Sequence, residues 1–107
     1  MGHDAQIESA TIKKDKIFDY ADCFKYIQPV LQQADLAIGN LELTLPGTPP
    51  YAGYPTFRSP DTLATELRYA GFDILMTAKN HSNDAKLEGL LHTIEALDEA
   101  GFYHTGT

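Results

Sequence analysis

The 107 residues suffice for one domain at most. Against 8 Lys and Arg stand 15 Asp and Glu, and the net charge of −7 repels a nucleic-acid backbone. The 43% hydrophobic share excludes a disordered chain, and no apolar run approaches the ~20 residues of a membrane span.

Lys13, Lys14 and Lys16 form the densest basic run, and Asp15 interrupts it. Met1-Gly2-His3-Asp4 lacks the charged-then-apolar build of a secretory signal, which leaves a cytoplasmic protein or an export signal outside these residues. The one cysteine, Cys23, excludes an intramolecular disulfide and reads as a small buried helix residue.

In chain order, Phe24, Ile27, Val30 and Leu31 make a helical stripe near 22–33, broken or kinked at Pro29. Leu36-Ala37-Ile38 reads as a buried strand ending at Gly39. Seven breakers crowd residues 44–60 (Pro46, Gly47, Pro49, Pro50, Gly53, Pro55 and Pro60), and they forbid a regular element. A loop this long is usually functional, and Tyr51, Tyr54 and Phe57 must pin it or line a pocket. Ser59-Pro60 reads as an N-cap and first position of a helix near 60–70 that Gly71 ends. Asp73–Ala78 follows as a strand covered on both faces. Leu87, Leu90, Leu91, Ile94 and Leu97 mark a helix near 86–100, capped by Asn83 or Asp84 and stopped by Gly101, and 102–105 is a last strand.

Leu67-Arg68-Tyr69-Ala70-Gly71-Phe72 is matched by Leu97-Asp98-Glu99-Ala100-Gly101-Phe102 thirty residues on, about one βαβ unit. The fold class is therefore α/β: about three parallel strands alternating with helices. So few strands leave exposed edges, which predicts a segment of a larger domain and pairing with another copy.

Two polar clusters follow strands. They are Gly39-Asn40-Leu41-Glu42 and Lys79-Asn80-His81-Ser82-Asn83-Asp84, and His104 stands at the third strand. In a parallel sheet ligands bind at the carboxyl ends of strands, so Asn40, Glu42, Asn80 and His81 should share a crevice. Their carboxylate, amide and imidazole donors suit Mg²⁺, Mn²⁺ or Zn²⁺, and a hydrolytic centre using bound water. His3 and Asp4 form a smaller cluster, and His92 reads as a partly exposed helix residue. No nucleophile elbow, dinucleotide fingerprint or phosphate-binding P-loop is present.

The run Ala34–Glu42, then Phe57 and Pro60, Ala70–Asp73, Asn80–Asp84, Gly89, Thr93-Ile94, Leu97, Gly101 and His104–Gly106 resembles the CapA family. Its members are bacterial capsule- or poly-γ-glutamate-synthesis proteins related to calcineurin-like metallophosphatases. The resemblance implies a partial metallophosphatase-like sandwich, residues 1–107 being an N-terminal portion truncated at both ends. It implies metal ligation by Asn80, with Glu42 and Asn40 in the Asn-Leu-Glu motif, and a catalytic role for His81 at the leaving group or phosphate. Asp84 matches the acidic position that follows, and Lys79, His3 and His104 are substrate or outer-shell candidates.

Met1 matches the Met that follows the family's metal-binding Gly-Asp pair, which is therefore absent, as are later histidines. The parent is expected to be an extracytoplasmic, metal-dependent phosphoesterase-like protein of the cell envelope, acting on an anionic polymer or phosphorylated substrate. Membrane contact would come only through regions outside this chain, and the segment alone would be nearly inactive. The other reading is a non-catalytic polymer- or protein-binding module.

Overall fold

A computed structural model describes residues 2–12 and 17–107, so Met1 and the lysines at 13, 14 and 16 lie outside the described residues. The chain begins with helix α1, Asp4–Ala10, whose entry is closed by the His3 N–H donating to Gln6 Oε1 at 3.2 Å. A short antiparallel pair follows, β1 (Thr11–Ile12) with β2 (Ile17–Phe18). Neither element was legible in a stretch so short and so poor in periodic apolar residues.

The first expected helix is two pieces, α2 (Ala21–Phe24) and α3 (Gln28–Gln33), with Pro29 in the first turn of the second, where its missing N–H costs nothing. The break rotates the apolar stripe out of line. Ile27 and Val30 are exposed and only Phe24 and Leu31 are half-buried, so the stripe is largely uncovered, and Cys23 is exposed rather than buried.

Three parallel strands form the sheet in the order β3 (Ile38–Asn40), β4 (Ile74–Met76), β5 (Tyr103–Thr105), with Gly39 opposite Leu75 and Leu75 opposite His104. Helix α4 (Thr62–Ala70) joins the first two strands and α5 (Lys86–Glu99) the last two. The two halves of the repeat end alike. Gly71 (φ 117°) and Gly101 (φ 84°) occupy the left-handed region, and the next amides, of Phe72 and Phe102, donate back to Leu67 and Leu97 carbonyls at 3.3 and 3.0 Å. These are Schellman closures, which only a residue without a Cβ makes freely.

Both crossovers step the same way along the sheet, so both helices fall on one face. Leu75 is buried there with Leu63 and Leu67 of α4 and Leu97 of α5. The opposite face leaves Ile38 56%, Met76 41% and Tyr103 78% exposed. The expectation of a strand covered on both faces is thus corrected: with both crossover helices on one side, no element among the described residues covers the other.

Helix α5 packs on one flank of its leucine stripe. Leu97 is buried in the core and Leu90 and Ile94 are half-buried, but Leu87 and Leu91 are exposed, and the small residues Gly89, Thr93 and Ala96 are buried beside them. The Thr93 hydroxyl accepts the Leu45 N–H at 2.9 Å and donates to Gly89 O at 2.7 Å, and a Cβ on Gly89 would collide with Ala85. Small residues let the 44–46 segment lie close, and a buried amide finds its partner there.

Both expected caps fail. The N-cap positions are Asp61 and Ala85, without side-chain cap bonds, and the Ser59 hydroxyl is buried with no partner.

Candidate functional site

Beyond β3 the residues Leu41, Leu43 and Leu45 are buried at every second position, while Glu42 between them is exposed. That period of two throws Asn40 and Glu42 to the same side. Both line a cavity of about 310 Å³, together with His3 and Phe57 and, behind them, Leu63 and Leu67. The Asn40 amide reaches Glu42 Oε2 at 3.5 Å. His3 comes from the entry of α1, far away in sequence.

After β4 the chain makes a tight polar turn. Ser82 Oγ accepts the Lys79 N–H at 2.8 Å and donates to the Thr77 carbonyl. Lys79 N and Ser82 N donate to Thr77 O and Lys79 O at 3.0 and 3.1 Å. The turn presents His81, whose Nδ1 lies 2.7 Å from Asp84 Oδ2; their side chains are only 17% and 13% exposed. The same Asp84 oxygen accepts the Phe57 N–H at 2.6 Å. Asp84 therefore serves the site instead of capping α5.

His81 meets the cavity through Phe57: the two rings lie edge to face with centroids 4.6 Å apart and an angle of 82°. Asn80 is exposed and Lys79 half-buried in the same turn. His104 turns elsewhere, its Nε2 2.8 Å from Asp98 Oδ1. His92 is held by Asp61 at 2.7 Å and by Glu95 at 3.7 Å, away from the cavity. The structure thus brings His3, Asn40 and Glu42 to one cavity, adds His81 and Asp84 behind one of its walls, and leaves His104 out.

Phe57 lines the cavity, one of the two roles expected of the loop aromatics, but its bond to Asp84 and its contact with His81 carry no sequence signal. Asp73, away from the site, ties β3 to β4 at the far end of the sheet: Oδ2 accepts the Ala37 N–H and Oδ1 pairs with Arg68, both at 2.9 Å. The hydrogen bond from Ala37 and then the Arg68 guanidinium hold its carboxyl below the ordinary carboxylate range.

The bacterial capsule synthesis protein family PGA_cap matches the chain over residues 1–107. Two proteins of Sinorhizobium fredii (strain NBRC 101917 / NGR234), the uncharacterized proteins y4sH and y4uA, are each 35% identical over 91 residues, covering 78% of this chain and 20% of their own length. The chain spans about a fifth of the curated relatives it matches.

Proposed function

From the premise that the chain belongs to the bacterial capsule synthesis protein family, we propose that its cleft is one part of a metal-dependent phosphoesterase-like site acting on an anionic polymer or a phosphorylated substrate at the cell envelope. The observation that carries the reading is a carboxylate–amide pair lining the cavity at the carboxyl end of β3 and, behind its Phe57 wall, an imidazole held by its own carboxylate after β4.

His81 is the proton-handling group. With Nδ1–H donated to Asp84, its Nε2 is a base when the ring is neutral and a proton donor when it is charged. Asp84 fixes tautomer and orientation, as carboxylates behind functional histidines do.

Electrostatics decide what else the site needs. A protein of net charge −7 with Glu42 in its cleft repels an anionic substrate, and a divalent cation offsets that repulsion. Among the described residues, however, no three His, Cys, Asp or Glu side chains come together to hold a metal ion. The donor set on these residues does not by itself make a complete metal site. Glu42, Asn40 and Asn80 are proposed to contribute to it alongside donors from outside the 107 residues. No helix among the described residues is long and apolar enough to cross a bilayer; membrane contact through other regions is part of the proposal.

The incomplete donor set equally favours a second reading, a non-catalytic module that holds a polymer end or a partner protein. Turnover of p-nitrophenyl phosphate with added Mn²⁺ separates the two. The parent protein is expected to turn over, and His81→Ala to lower the rate by about 100-fold or more. The 107-residue chain is expected to stay near background. A parent that neither binds Mn²⁺ nor turns over selects the binding module. Turnover by the 107-residue chain that His81→Ala abolishes would show that the site is complete here.

A further inference from the structure

Phe57 is a half-buried apolar residue in an irregular loop, packed on the hydrophobic core and edge-on to Tyr54, yet its ring and peptide also meet polar groups. One side of the ring meets His3, centroids 5.1 Å apart at 88°, and another meets His81 at 4.6 Å and 82°. Both are edge-to-face contacts, the geometry in which aromatic rings attract. Its N–H donates to the Asp84 oxygen that also holds His81 Nδ1. Its carbonyl accepts from Thr44 twice, from Oγ1 at 2.6 Å and from N at 3.2 Å. The same loop is latched at Gly53, whose N–H donates to Asp4 Oδ1 at 2.6 Å and whose missing side chain leaves room for the Asp4 amide. One residue therefore ties the chain after β3, the chain after β4 and the entry of α1, three segments distant in sequence.

We propose that Phe57 is a positioning residue: its ring sets the orientation of both imidazoles at the cleft, and its peptide group locks the carboxylate that orients one of them. What the cleft then does rests on the function proposed above, but the positioning does not. Phe57 also touches the hydrophobic core, so a space-filling role alone is the rival account. The two differ in what leucine does there. Leucine fills the space but offers no ring to the histidines, whereas tyrosine restores the ring.

The decisive measurement is the imidazole spectrum of the 107-residue chain at alkaline pH. In the wild type, His81 is expected as one Nδ1–H tautomer, with His3 and His81 ring protons displaced by the Phe57 ring current. In Phe57→Leu the ring-current displacement goes with the ring and the His81 tautomer stays, held by Asp84. The deciding readout is the side-chain rotamers of His3 and His81, from their proton couplings and Overhauser contacts, which are expected to become averaged while the Gly71 and Gly101 amide signals stay in place. Phe57→Tyr restores the single rotamers. Imidazoles that keep one wild-type rotamer each in a folded Phe57→Leu chain overturn the proposal. If Phe57→Leu does not fold, Phe57→Met reads the same signals. In a parent that turns over, Phe57→Leu lowers kcat by about 10-fold with KM little changed, as loss of an orienting contact does. If the parent shows no turnover at all, the phosphoesterase reading fails, and the imidazole spectrum still decides the role of Phe57.

Discussion

After β3, Asn40 and Glu42 stand exposed at the cavity and meet each other through a single 3.5 Å contact. After β4, Ser82 bridges Lys79 and Thr77, and Asp84 bridges His81 and Phe57. The second strand end is a built turn whose side chains are consumed by internal bonds. The first carries donors that almost nothing restrains. A group that must hold a proton at a fixed place needs the former, because orientation has to be settled before substrate arrives. Groups that close around an ion or an anion tolerate the latter, since exposed side chains reorient at small cost.

The widest separation between the two ends is expected on removing Asp84. Asp84→Ala strands the Phe57 amide and the His81 Nδ1–H in a part-buried setting, for a loss of about 2–3 kcal/mol. Urea unfolding measures it, and a loss below about 0.5 kcal/mol would mean that the turn is no more prebuilt than its neighbour. Ser82→Ala removes one acceptor and one donor, for about 1 kcal/mol by the same measurement.

A smaller effect is expected at the opposite end of the sheet, where Asp73 joins β4 to β3. Its folded carboxyl titrates below the ordinary range, so its stabilisation is full above the unfolded value of about 3.9 and is lost as pH falls through the lower folded one. Thermal melts of wild type and Asp73→Asn should therefore draw together in that acid window and differ most near neutrality. A constant difference across the range would assign the effect to packing. The smallest change is expected at the open end: Glu42→Gln should move stability by no more than about 0.5 kcal/mol. A larger loss would place Glu42 among the structural groups and erase the contrast.

Much of the architecture was legible because local signals agreed. Gly71 and Gly101 end their helices in the left-handed region, as glycines following a periodic apolar stretch predict. The repeat around them proved to be one closure used twice, and the parallel strands follow from the helices between them. Where local signals competed, tertiary contacts won. The outer members of the α5 leucine stripe, Leu87 and Leu91, lost to the small-residue face on which Thr93 takes the Leu45 amide, while Leu97 kept its place in the core. Asp84 lost its cap role to His81 and Phe57.

The Asn-Leu-Glu and Asn-His-x-x-Asp runs were visible as polar clusters after strands, and the chain order alone put them at one edge of a parallel sheet. Which members meet was decided only in three dimensions. His3 arrives from a helix entry nearly forty residues before Asn40, and His104 is drawn off by Asp98. Phe57 gains its place because a loop too rich in proline and glycine for regular structure folds back over both clusters. Sequence determines such turns and stripes because they depend on neighbours within one helical turn or strand. It does not determine which distant groups face one another, because that depends on how a chain with several competing apolar faces settles its buried amides.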